Sequence, residues 1–185
     1  MEIDINQKKI SFGDKYQIFT DGQQTHYAAR KLFNLLPVVN LFENKYEVPR
    51  MTIKRRFSWF KAAYDIIQWD SNIMEFRTVS YWKQHYNCLV GMDSYDIYGH
   101  RGRKYSIYKN DVQVAWWDKE AVTWFAGDNY KIIADKDCNV NLLVSFCLII
   151  DNFKSDNHDG NTVNVDLGNI GFQTKKFDVN WNPKY

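Results

Sequence analysis

The chain has 185 residues, a length that suits one domain with a sizeable core. Its net charge of +2 is too small to argue for a polyanion partner, so nucleic acid is not expected. Cys88, Cys138 and Cys147 are odd in number and show no C-x-x-C or zinc spacing, which points to reduced thiols in a cytosol-like compartment.

The N-terminal stretch MEIDINQKKISF mixes charged and apolar residues and has no apolar signal core, so export is not expected. Strand-like segments follow in close succession. Lys15–Thr20 pairs with Thr25–Lys31 across Asp21-Gly22, a strong hairpin signal because both central positions of a type I′ turn need positive φ. Val38–Glu43 comes next, then a turn near Asn44-Lys45 and a long strand from Val48 to Phe57. In that strand Met51, Ile53, Phe57 and Trp59 share a face, and Arg55 in the apolar register marks a bulge or a strand end. Ala63–Gln68, Ile73–Trp82, Tyr86–Met92, Ser94–Tyr98, Lys104–Tyr108, Val112–Trp117 and Asn129–Ala134 complete the series. Glu120–Phe125 reads as either a strand or a short helix.

Tyr-x-Ile recurs along this series, starting at Tyr16, Tyr64, Tyr95, Tyr105 and Tyr130. Each copy places two bulky residues on one face of a strand, and turn residues follow each copy closely. The stretch from Asn139 to Phe153, NVNLLVSFCLIIDNF, is different in kind. Its apolar residues cover every direction around a helical axis, so this helix, capped by Asp137 or Asn139, must be buried on all sides. Its uninterrupted part, Leu142 to Ile150, is too short to cross a bilayer, which takes roughly 20 residues. Enclosing such a helix takes more strands than one flat sheet offers. A closed barrel does it and also removes edge strands. The fold expected is mainly β, a closed antiparallel barrel around one buried helix.

Beyond Phe153 the composition turns polar. KSDNHDGN (154–161) reads as a loop, Thr162–Asp166 and Ile170–Phe177 as strand-like pieces, and NWNPKY (180–185) as a frayed end. The domain reading is a barrel over residues 1–153 and an extension, 154–185, packed in part on it.

Phe12-Gly13-Asp14-Lys15-Tyr16-Gln17-Ile18, the repeated Tyr-x-Ile hairpins and the late helix Leu142–Ile150 ending at Asp151 resemble the LURP-one-related family. That family belongs to the superfamily of tubby C-terminal domains and phospholipid scramblases. The resemblance covers roughly residues 8 to 153 and implies a barrel of about 12 strands around a hydrophobic helix. It further implies a non-catalytic domain acting on or near membrane phospholipid. About thirty residues after the helix depart from the family pattern, and no lipid-binding motif matches residue by residue.

Catalytic and metal signatures are absent from the sequence. His26, His85, His100 and His158 are dispersed without ligand spacing, and there is no nucleophile elbow or phosphate loop. Ser155 to Asp166 loosely echoes a calcium loop, but Ser155 and Asp166 stand where Asp and a bidentate Glu belong, so a polar turn is the reading preferred. No cofactor or metal is expected, and no enzyme. Two basic clusters remain: Lys54 and Arg56 mid-chain, and Arg101, Arg103 and Lys104 in a glycine-containing turn. Arginine suits bidentate contact with phosphate, so these five are the candidates for an anionic ligand such as phospholipid headgroups. Strand alternation sends one of Trp116 and Trp117 outward, to a membrane interface, to a partner surface or under the C-terminal extension. The functional expectation is a cytoplasmic, membrane-peripheral binding module; the alternative is a protein–protein adaptor using the aromatic surface or the extension.

Overall fold

A computed structural model describes residues 1–10, 13–31, 36–58, 61–119, 129–158 and 173–184. Twelve antiparallel strands close into a barrel: β1 Glu2–Ile10, β2 Gly13–Thr20, β3 Gln23–Lys31, β4 Val38–Glu43, β5 Met51–Arg55, β6 Ala63–Gln68, β7 Ile73–Ser80, β8 His85–Val90, β9 Asp93–Gly99, β10 Lys104–Lys109, β11 Val112–Lys119 and β12 Asn129–Ala134. Each strand pairs with its neighbours in sequence, and β1 closes the ring by pairing with β12, Glu2 opposite Ile133. The helix α1, Val140–His158, follows.

The period-2 pattern does the work expected of it. In β7, buried Met74, Phe76 and Thr78 alternate with exposed Ile73, Glu75, Arg77 and Val79. All five Tyr-x-Ile copies point inward, from Tyr16 and Ile18 to Tyr130 and Ile132. Of the tryptophan pair, Trp117 lies in the core and Trp116 faces outward.

The helix runs through the barrel interior. Phe146 meets Phe76 on β7 and Tyr95 on β9, while Asp151 meets Tyr16 on β2, Tyr130 on β12 and Lys119 on β11. Side chains from every side of the barrel therefore close on one helix, as an all-apolar helix requires. Asn139 supplies the cap, its Oδ1 accepting the Leu142 N–H at 3.3 Å. Two polar residues inside the run bond to its own main chain: Ser145 Oγ and Asn152 Nδ2 donate to the carbonyls of Asn141 and Leu148, each at 2.7 Å. Among the described residues no helix is long and apolar enough to cross a membrane.

One strand has no counterpart in the sequence reading, and four expectations need correction. Glu2–Ile10 is a strand, the one that closes the ring. The β5 strand is shorter than Val48–Phe57: it stops at Arg55, and Phe57 is 73% exposed. The helix continues past Phe153 to His158, into the stretch read as a loop. Residues 181–184 are not frayed, Tyr185 lying outside the described residues: the Trp181 Nε1–H donates to the Gln113 carbonyl at 3.2 Å and the Lys184 N–H to Asp135 Oδ1 at 2.6 Å. Residues 173–177 form no strand. Phe12, Trp59, Glu120–Phe125, Thr162–Asp166 and the Asp159–Asp166 part of the calcium-like loop lie outside the described residues.

Candidate functional site

Because every strand reverses direction, the connections alternate between the two ends of the barrel. They sort by charge. At the end where α1 begins, the connections carry five exposed acids, Asp21, Glu47, Asp70, Asp111 and Asp137, against two exposed lysines, Lys45 and Lys136. At the end where α1 finishes, the exposed charges are Lys15, Lys31, Lys54, Lys61, Lys83 and Arg101, at least one on or beside each described connection. A net charge of +2 conceals this division.

The acid end has a structural explanation. Asp21 and Gly22 have φ of 48° and 79°, and Asn110 and Asp111 have φ of 48° and 66°, the left-handed pairs a type I′ hairpin needs. Asp and Asn reach that region more readily than other non-glycine residues. The carboxylates also bond to nearby groups: Asp21 Oδ1 accepts the Glu2 N–H at 2.8 Å, Asp70 Oδ1 accepts the Asn72 N–H at 3.2 Å, and Asp93 pairs with Lys109 at 2.9 Å.

The cation end has no such explanation. Lysine and arginine contribute nothing to turn geometry. Lys15, Lys31, Lys54, Lys61, Lys83 and Arg101 make no ion pair or ring contact among the described residues. Lys8 and Lys15 are both exposed and stand directly opposite each other on β1 and β2, an arrangement that is destabilising by itself. The helix dipole is complementary to the division, but it amounts to only about half a charge at each end. It cannot account for a whole ring of cations.

All five sequence candidates lie at this end, although β5 and β10 stand on different sides of the ring, with β6 to β9 between them. Lys54 and Arg101 are exposed. Arg56 is engaged by Asp65 at 3.5 Å and Glu75 at 3.2 Å. Arg103 and Lys104 are half-buried, and Lys104 meets Asp118 at 3.6 Å and lies over the rings of Trp116 and Phe177. The turn therefore offers one fully exposed cation instead of three. Sequence reasoning missed Lys8, Lys15, Lys31, Lys61 and Lys83. Their signal was alternation: successive connections carry acids, then cations, which means two opposite ends once the strands are taken as antiparallel.

Beneath the cation end the barrel mouth is closed by a buried polar group. The Tyr130 hydroxyl donates to Asp151 Oδ1, the Tyr16 hydroxyl to Asp151 Oδ2 at 3.5 Å, and Lys119 Nζ lies 3.5 Å from Oδ1. Asp151 holds the last turns of the helix to β2, β11 and β12. Asp151→Ala leaves a half-buried ammonium without this partner, so a loss of about 2–4 kcal/mol is expected in urea unfolding. Asp151→Asn, which keeps one acceptor oxygen and offers the other tyrosine oxygen an N–H, loses less.

Catalytic chemistry finds little support among the described residues. No group of His, Cys, Asp and Glu there is arranged to hold a metal. Burial pushes the Cys88 thiol up to about 12 and, with help from Asp135 and Asp137, the Cys138 thiol up to about 11; both stay protonated and poorly nucleophilic. His85 Nε2 pairs with Asp96 Oδ1 at 2.7 Å, its ring stacked on Tyr98. A cavity of about 340 Å³ near the helix start is lined by Glu43, Arg50, Trp69 and Asn141, with Arg50 already held by Glu43 at 3.1 Å.

Two histidines set a pH response. Burial lowers the pKa of His26, with Arg50 adding to the effect and Glu43 opposing it. Burial also lowers that of His100, against the pull of the Lys175 main chain and the Gln173 side chain. Both are neutral in the folded chain where an unfolded histidine, at 6.5, already takes a proton. Stability is therefore unaffected by these groups above that value and falls as pH drops below it. Urea midpoints measured at about pH 7.5 and pH 5.5 should fall with pH, and His26→Gln with His100→Gln should flatten the fall.

Against protein-family models, curated proteins and solved structures, the chain matches none, so the functional reading rests on the fold and on this layout of charge.

Proposed function

We propose that the protein is a non-catalytic binding module that docks its cation end on an anionic surface, the phospholipid headgroups of a membrane. The observation that carries this reading is the ring of exposed lysines and arginine that no turn, ion pair or helix dipole explains. Each such cation held near an anionic membrane contributes about 1 kcal/mol, and the attraction fades beyond a Debye length of roughly 8 Å at physiological salt. Only a surface presented to many cations at once collects several of these contributions. Trp82, 84% exposed, and Phe57 stand at the same end and suit the interfacial zone of a bilayer. The resemblance to LURP-one-related and tubby-like domains supports the same reading, as does the closed barrel around a hydrophobic helix that it implies. A helix filling the barrel leaves little interior room for a ligand, which favours the outer surface.

Co-sedimentation with vesicles tests the proposal. Binding should need acidic lipid and should weaken steeply with salt. Equal binding to neutral vesicles, or binding indifferent to salt, would sink it.

A further inference from the structure

The outer wall of β9–β11 carries a feature that lipid docking does not use. Tyr98, His100, Ser106, Tyr108, Gln113 and Trp116 form a strip across it, covered by residues 173–184. A register shift between Ile107 and Tyr108 builds this strip: the bulge turns Tyr108 and Gln113 outward together, the Tyr108 hydroxyl donating to Gln113 Oε1 at 3.0 Å.

The tail lies on the strip in the manner of a bound ligand. It adds no strand to the sheet. Among the described residues its main chain bonds to the barrel's main chain once, Lys136 N–H to the Lys184 carbonyl at 3.2 Å. Side chains make the remaining contacts. The Lys175 ammonium sits 3.7 Å from the Tyr108 ring centre and 5.1 Å from that of Tyr98, a two-walled aromatic cage for a cation. Two residues on, Phe177 sets its ring edge-on to Trp116 at 5.6 Å and His100 at 5.2 Å.

The fit is incomplete in a way that matters. Gln113 Nε2 and His100 Nδ1 are buried and have no hydrogen-bond partner. Gln173 and the Lys175 main chain lie beside His100, yet its Nδ1 is left without a partner. Buried polar atoms left unmatched weaken binding. A segment that matched them would therefore hold this strip better, contact for contact, than the tail does.

We infer that the outer wall of β9–β11 is a docking groove for an extended segment of another protein, one with a lysine two residues before an aromatic ring, and that the chain's own residues 173–184 fill it until that segment arrives. The tail competes through tethering. It belongs to the same chain as the groove, so it meets the groove without the entropy cost that a free segment bears. A free segment of equal fit therefore binds the intact chain poorly and binds well once the tail is weakened.

The test uses the full chain and a fluorescent synthetic peptide of residues 173–184. The Lys175→Ala/Phe177→Ala chain should bind the peptide at least roughly tenfold more tightly than the unaltered chain, because the tethered competitor has been weakened. A peptide carrying the same two substitutions should not bind. Equal, feeble binding to both chains would overturn the inference, provided the variant keeps its near-UV circular dichroism. Should the variant fail to fold, hydrogen exchange on the unaltered chain decides. The tail should open as its own unit, its amides exchanging faster than those of β10 and β11. If the tail opens only when those strands do, it is a fixed part of the wall and the inference fails.

Discussion

Replacing Lys54 and Arg101 together by glutamate is expected to abolish binding to acidic vesicles. Each reversal removes an attraction of about 1 kcal/mol and adds a repulsion of similar size. The pair therefore loses about 4 kcal/mol, roughly a thousandfold in membrane partitioning. Both side chains are exposed, so the fold should tolerate the change. The control is Lys45→Glu with Lys136→Glu, the same change in net charge made at the acid end. Lys45 and Lys136 are also exposed, and this variant should bind as the unaltered chain does. Equal loss in both variants would mean that net charge, not its placement, drives adsorption, and the docking geometry would then be wrong.

Phe146→Ala is expected to cost the most stability of any single truncation proposed for this chain. Its side chain is fully buried at the middle of α1, in contact with Phe76 on β7 and Tyr95 on β9. Removing the ring leaves a hole that a closed barrel cannot shrink to fill, since no strand can move inward without breaking its ladder on both sides. The expected loss is about 3–5 kcal/mol. At roughly 2–4 °C per kcal/mol for a domain of this size, the melting temperature should drop by about 6–20 °C. Val79→Ala, on the outer wall of β7, should stay within about 0.5 kcal/mol. A Phe146→Ala change as small as that of Val79→Ala would mean that the helix does not bear on the core.

The sequence was most readable where one residue's role was dictated by its own surroundings. Leu142–Ile150 has no polar face, so burial on all sides followed without knowledge of any partner. The Tyr-x-Ile pairs declared an inward face on five strands, and Asp21-Gly22 declared its turn. What escaped was whatever depended on distant residues. Glu2–Ile10 has Ile3 and Ile5 in register, but then Gln7 faces inward, where Tyr16 receives it with a hydrogen bond from Gln7 Nε2 at 3.4 Å. That polar residue blurs the alternation, and only pairing with both β2 and β12 makes the segment a strand. Lys154 looks like the start of a loop, yet its ammonium lies 5.2 Å from the Tyr105 ring, and the helix continues. The tail reads as a polar end because its anchors, Tyr98, Tyr108 and Trp116, are far away in sequence. For the candidate site, individual basic residues were visible, but their gathering at one end needed the strand directions.

The β1–β12 junction has a consequence for how the chain is made. Glu2 pairs with Lys131, 129 positions later, so during synthesis β1 waits for β12. At about 5–20 residues per second, that wait is on the order of ten seconds, during which the nascent sheet has open edges and no filling. The helix α1, which supplies the filling, is synthesised after all twelve of these strands. Contacts this remote in sequence slow folding, and a chain with such a seam depends on shielding during translation more than a helical protein of equal length.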